Sequence, residues 1–207
     1  KGLLVAPGFI DVHGHIEGGI ITTPTANNYI FDGVTTVVTG NCGGSADNIG
    51  SFLREVNKVG PSINVASLIG HNTVRAQVMN RDDRKPTVQE QQKMDALVDQ
   101  AMKEGAVGLS TGLIYIPGTY AETEEVIALA KAAAKNKGVY ASHIRNEENQ
   151  AVEAVNEAIN IGKEASIPVQ ISHFKIGGRS NWGKSDITLN LVKEARENGW
   201  DVTIDQY

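Results

Sequence analysis

The 207-residue sequence contains a single cysteine, Cys42, and therefore no internal disulfide. That excludes the stapled framework of small secreted domains. A basic surplus is also missing. The formal net charge of -5 leaves no electrostatic footprint for a nucleic-acid partner. The acidity is mild and speaks to solubility more than to partners. No apolar run approaches the roughly 20 residues needed to span a bilayer, so no membrane partner is expected. The opening KGLLVAPGF lacks the charged, apolar and small-residue order of a secretory signal. Together these absences give the expectation of a cytoplasmic protein. An initiator Met is lacking as well, which gives the expectation that the chain begins inside a longer gene product. No low-complexity linker, internal repeat or composition break marks a domain boundary.

What is present describes an ordinary globular chain, 41% hydrophobic and 21% charged, long enough for one substantial core. Short β-branched runs alternate with longer helical patterns. The runs at 8–13, 34–40, 63–70, 106–112, 138–143, 167–173 and 200–207 predict strands, and their near-continuous apolar character suits strands covered on both faces. Helical spacing marks 45–60, 87–105, 121–138, 146–166 and 184–199. Thr87 with Glu90 three residues on is a capping-box spacing. The segment 22–33 is ambiguous, with room for a short helix. The alternation implies a parallel sheet with right-handed crossovers, in an open doubly wound sheet or a (β/α)8 barrel. A complete barrel needs eight strands and about 250 residues; the sequence supplies seven.

The chemistry-bearing residues fall in one kind of place. His13 and His15 end the first strand, and Cys42 follows the second in TGNCGG. His71 follows the third strand, His143 ends the fifth, His173 ends the sixth, and Asp205 lies in the seventh. None of the expected helices carries a histidine. Parallel α/β folds build their sites at the carboxyl ends of strands. Residues i and i+2 on a strand share a face, so His13 and His15 can grip one ion. Two hydrogen-bonded core histidines explain an isolated HxH equally well. With Cys42, His143 and His173 at the same rim, metal binding is the preferred reading. Thiolate plus imidazole suits Zn2+. A buried structural thiol and a nucleophilic Cys–His pair are the other readings of Cys42. Tyr115, Arg145 and Lys175 lie just past strand ends, where they are placed to grip an anionic substrate or to serve as solvated surface.

Taken together, PGFIDVHGH, VTTVVTGNCG, GLIYIPGTYA, ASHIRNE, ISHFK and DQY resemble the metal-dependent amidohydrolase superfamily. Within it they are similar to the branch of N-acyl-D-amino-acid deacylases (D-aminoacylases). The motifs keep their order over nearly the whole chain. The resemblance implies a (β/α)8 barrel that uses zinc to hydrolyse the amide bond of N-acyl-D-amino acids. It implies that Cys42, His143 and His173 hold a firmly bound zinc, with His13 and His15 on a weaker second site. It implies that Tyr115, Lys175 and Tyr207 line the substrate pocket. Many relatives use a carboxylated lysine on the fourth strand; GLSTGLIY has none, which fits the cysteine branch. The family's catalytic Asp ends the eighth strand, and Asp205 does not match it by motif. The expectation is therefore one partial barrel domain over 1–207, lacking the eighth strand and the flanking small β domain. Such a chain would bind zinc, show little activity alone, and be able to associate through exposed sheet edges. A hydantoinase-like enzyme acting on cyclic amides, and a non-catalytic metal-binding remnant, are the alternatives.

Overall fold

The computed structural model describes residues 2–206. Strands β1 (Phe9–Asp11), β2 (Val34–Thr39) and β3 (Asn64–Ser67) form one parallel sheet. Strands β4 (Ile69–Gly70), β5 (Gly108–Gly112), β6 (Val139–His143), β7 (Val169–Ile171) and β8 (Val202–Ile204) form a second. β3 and β4 are the two halves of one expected strand, parted at Leu68. The Leu68 amide donates to Thr39 and the Val107 amide donates to Ser67, so the two sheets run on as one curved surface. Seven strand positions result, all parallel, as the alternation implies. Among the described residues no ladder joins β1 to β8.

Burial is uneven along this arc. Every residue of β5 is buried, as a strand covered on both faces requires. β1 departs from that expectation: Phe9 and Ile10 are exposed, because β1 pairs on one side alone.

The crossovers are helical. They include α1 (Gly19–Thr22), α2 (Asn27–Ile30) and α3 (Ile49–Val59), the last capped by Asn48, whose side chain accepts from the Ser51 amide at 2.7 Å. α5 (Val88–Lys103) starts at the Thr87–Glu90 capping box, with both reciprocal bonds formed. α6 (Thr123–Ala134), α7 (Ala151–Ala165) and α8 (Ser185–Glu197) complete the outer layer. Val126 and Leu129 of α6 and Val155 and Ile159 of α7 share one core with Leu109, Tyr140 and Ile171 from the strands. Leu109 is fully buried, so truncating it to Ala would cost about 2–5 kcal/mol. Among the described residues no helix is long and apolar enough to cross a membrane.

One helix escapes the hydrophobic pattern. α4 (His71–Met79) follows β4 directly, and its buried residues are His71, Val74, Arg75 and Met79. The spacing is helical, but half of the stripe is polar, so apolar periodicity does not reveal it. His71 therefore opens a helix, against the expectation that no helix carries a histidine.

Candidate functional site

The carboxyl ends of the strands surround a cavity of about 750 Å³. His13, His15, Cys42, His143, His173, Tyr115 and Lys175 all face it, together with Glu147 and Asp205. His143 is the last residue of β6. The others lie past their strands, because β1 ends at Asp11, β2 at Thr39 and β7 at Ile171. The shared face of His13 and His15 is thus built by a loop and not by strand alternation. Their rings sit 5.4 Å apart, edge to face.

Two of these residues are held in backbone conformations that side chains rarely adopt. Cys42 has φ 53° and His173 has φ 37°. Such outliers persist where surrounding structure fixes them, and they cluster at working sites. The glycines of GNCGG are part of that fixing. Gly43 has φ +78°, and a Cβ there would meet the Asn72 side chain at 2.1 Å and the Gly112 amide nitrogen at 2.6 Å. A Cβ on Gly112 would lie 2.1 Å from the Cys42 carbonyl oxygen. The Cys42 loop is therefore packed directly onto the end of β5 and the start of α4.

Cys42 stands at the centre of the ring of imidazoles. Its Sγ is 3.3 Å from His13 Nε2 and 3.9 Å from His173 Nε2. His173 Nε2 in turn is 2.7 Å from His143 Nδ1. Burial works against a charged thiol, but hydrogen bonds from His13, His143, His15 and His173 outweigh it and pull the Cys42 pKa down to about 3. His13 moves the other way, up to about 10, through its hydrogen bonds to Asp205 and then to Cys42. Both shifts favour the charged forms of Cys42 and His13 in the metal-free site.

Two carboxylates stand behind the imidazoles. Asp205 lies 3.2 and 3.3 Å from His13 Nδ1 through its two oxygens. It also accepts from Gln170 and from the His173 amide. Burial would raise its pKa; the bonds from His13 and the His173 amide outweigh this and lower it. Glu147 Oε1 lies 2.8 Å from His173 Nδ1 and accepts from Lys175 Nζ at 2.9 Å. Sequence reasoning placed Asp205 among the chemistry-bearing residues at strand ends and gave Glu147 no role. Glu147 was visible only as the last letter of ASHIRNE, and Asp205 as a member of the expected strand 200–207, which in the structure ends one residue before it.

The remaining expectations divide. Tyr115 is half exposed, with its ring 4.7 Å from that of His143. Tyr207 lies outside the described residues. Arg145 is not free to grip a substrate: it holds Glu157 through Nε at 2.9 Å and donates to the carbonyls of Thr119 and Ala121. His71 stands apart from the cavity, fully buried, with Nε2 at 2.8 Å from Glu125.

The donor set fits a zinc ion. Ligand atoms of His13, Cys42 and His173 lie within 4.8 Å of one another, and so do those of His143, Glu147 and His173. Tetrahedral bonds of about 2.0–2.3 Å put ligand atoms about 3.3–3.8 Å apart, so small side-chain rotations suffice. Thiolate with imidazole is the combination that zinc prefers. Among the described residues His143 Nε2 is buried without a hydrogen bond, a polar atom that a bound ion at this rim would satisfy.

Comparison with known proteins follows this geometry. The D-aminoacylase of Alcaligenes xylosoxydans xylosoxydans is 37% identical over 100% of this chain and 47% of its own length. A crystal structure of D-aminoacylase, described as defining a novel subset of amidohydrolases, superposes with a TM-score of 0.92 at 38% identity, covering 97% of this chain and 47% of that one. N-acyl-D-glutamate deacylase from Bordetella bronchiseptica was solved with zinc and a phosphonate mimic of the tetrahedral intermediate. It gives a TM-score of 0.92 at 37% identity, covering 97% of this chain and 47% of that one. The chain spans about half the length of the curated relatives it matches. Its parallel strands form an arc of the barrel those structures share. Residues 1–205 match the model of the amidohydrolase family, and the chain belongs to that family.

Proposed function

We propose that this chain carries the metal-binding rim of a zinc-dependent hydrolase, one that opens the amide bond of N-acyl-D-amino acids to release a carboxylate and a D-amino acid. The observation that supports it most is the Cys42 thiolate set among His13, His143 and His173 at the carboxyl rim of a barrel whose β5 has no lysine. The missing lysine weighs against the cyclic-amide alternative.

Cys42, His143 and His173 would hold the firmly bound zinc, and His13 and His15 would complete a weaker second position that shares Cys42. When bound, zinc supplies Lewis acidity and a water whose pKa falls to about 7. Lys175 and Tyr115 stand on the cavity wall, where an ammonium and a phenol suit the substrate carboxylate. Tyr207 joins them on motif alone. Asp205 and Glu147 are committed to imidazoles and act as their orienters.

The test is zinc analysis and hydrolysis of N-acetyl-D-amino acids by the intact protein. Zinc-dependent, D-selective cleavage is expected, lost with a chelator and restored with zinc. Opening of a hydantoin without cleavage of the linear amide would favour the cyclic-amide reading. Bound zinc with neither activity would leave a metal-binding remnant. Metal-independent activity abolished by thiol alkylation would make Cys42 a nucleophile.

A further inference from the structure

We infer that Asn72 is a positioning residue for the substrate pocket: its side-chain amide replaces a missing backbone rung beside Gly112 and so fixes the turn that carries Tyr115. The inference rests on the assignment of Tyr115 to the substrate in the reading above.

β4 and β5 pair at Ile69 with Leu109 and at Gly70 with Ser110, a register that would set residue 72 beside Gly112. The backbone cannot serve there, because the chain turns into α4 at His71. The Asn72 side chain takes its place. Oδ1 accepts from the Gly112 amide at 3.3 Å, and Nδ2 donates to the Gly112 carbonyl at 3.1 Å. A primary amide carries the donor and acceptor of a peptide group, so the last residue of β5 keeps a partner on the side β4 has left. The Gly112 carbonyl also accepts from the Tyr115 amide at 3.0 Å, so the oxygen that Asn72 holds is the one that closes the Tyr115 turn. Nδ2 reaches the Tyr115 carbonyl as well, at 3.4 Å.

Glycines from three segments make room for this arrangement. A Cβ on Gly43 would lie 2.1 Å from Asn72 Oδ1, and one on Gly118 would lie 2.6 Å from it. A Cβ on Gly112 would lie 2.8 Å from Cδ2 of the Tyr115 ring. Neither Gly112 nor Gly118 has a left-handed φ, so close approach is what calls for glycine at both. The Cys42 loop has holds of its own. The Gly43 amide donates to Ser110 Oγ at 3.1 Å, and the Ser45 amide donates to Thr73 Oγ1 at 3.0 Å. Loss of the Asn72 amide should therefore loosen Tyr115 and spare the metal loop.

The test compares Asn72→Ala and the isosteric Asn72→Asp in the intact protein, each alone and combined with Tyr115→Ala. Each single Asn72 variant should raise KM for an N-acetyl-D-amino acid about tenfold, the scale of one lost hydrogen-bonded contact, while kcat and zinc content hold. With Tyr115→Ala in place neither should raise KM further, because two residues acting through one contact are not additive. Asn72→Asp fills the same space but turns an oxygen toward two carbonyls; a wild-type KM in that variant would reduce Asn72 to a space filler and overturns the inference. So does an additive cycle, and so does loss of zinc in Asn72→Ala, which would assign the amide to the Cys42 loop. Two NMR readouts need no substrate. In wild type the Gly112 amide should be protected from hydrogen exchange, and fast exchange there overturns the inference with no variant required to fold. The Tyr115 ring lies 4.7 Å from that of His143, so its ring current marks the His143 ring protons. That mark should fade in Asn72→Ala as it does in Tyr115→Ala; its persistence overturns the inference. A wild-type KM in Tyr115→Ala would remove Tyr115 from the substrate and sink that part of the reading above, while the ring-current measurement still decides whether Asn72 holds Tyr115.

Discussion

His173 and His71 make the same contact and do opposite things. Each sets a ring nitrogen 2.8 Å from a glutamate oxygen, Glu147 in one case and Glu125 in the other. The difference lies in what surrounds the pair. Around His71 the contacts turn inward. Arg75 binds the other oxygen of Glu125, and its guanidinium also donates to the carbonyls of Asp82 and Arg84. His71 and Arg75 are fully buried, and the cluster ties α4 to α6. Around His173 the second nitrogen looks across the cavity at a thiolate and two more imidazoles. A carboxylate-bound histidine is thus no sign of a site by itself. The direction of its second nitrogen decides.

The largest effect should come from Cys42→Ala, which removes the sulfur that His13 and His173 meet at the centre of the rim. We expect tightly held zinc to fall from stoichiometric to trace in metal analysis, with His13→Ala losing less. The unfolding midpoint of the metal-free protein should hardly move, because the rim adds little to the core. Equal zinc in Cys42→Ala and wild type would erase the distinction between the two clusters.

Glu125→Gln should do the reverse. It leaves Arg75 buried beside a neutral partner, and breaking a buried pair costs about 3–5 kcal/mol. Urea unfolding should show that loss, while zinc bound per folded chain stays at the wild-type value. A drop in zinc with unchanged stability would mean the roles of the two clusters had been exchanged.

A pH series sharpens the same contrast with a smaller signal. Burial alone would raise the pKa of Glu125; the bonds from His71 and Arg75 outweigh it and lower it. A depressed carboxylate stabilises the fold above its unfolded pKa of about 4, and that contribution is lost as pH falls through the lower folded value. Metal-free wild type should therefore lose stability more steeply than Glu125→Gln on acidification from pH 6 to pH 3. Parallel curves from urea midpoints would show that Glu125 carries no such linkage.

The barrel arc and the rim were legible in the sequence because both follow from periodicity. Apolar runs located β2, β5, β6 and β7, and strand ends then gathered Cys42, His143 and His173 without any knowledge of distance. α4 was hidden because His71 and Arg75 occupy positions where an apolar side chain would have shown the stripe. Glu147 was hidden, and the partner of Asp205 was not legible, for a different reason. Acidic residues are common in loops, and only the adjacency of β6 and β7 brings Glu147 onto the His173 imidazole, while Asp205 meets His13 from the far end of the arc.

Arg145 provides the smallest test, because it began as a candidate for the substrate and ended on the structural side of the comparison. It sits two residues past β6, next to the cavity-facing His143, which is why its position suggested an anion grip. Its guanidinium is instead spent on Glu157 of α7, at 2.8 and 2.9 Å, and on two carbonyls of the segment that follows β5. Glu157 also accepts from Thr123 at the start of α6, so the cluster fastens two crossover helices and a loop. The pair is partly exposed, which limits its worth to about 1 kcal/mol. We therefore expect Arg145→Met to lower the urea midpoint by that amount and to leave KM for an N-acyl-D-amino acid unchanged in the intact protein. A raised KM with unchanged stability would return Arg145 to the substrate. It would also show that burial of a charge in a carboxylate pair is not enough to separate scaffold from site.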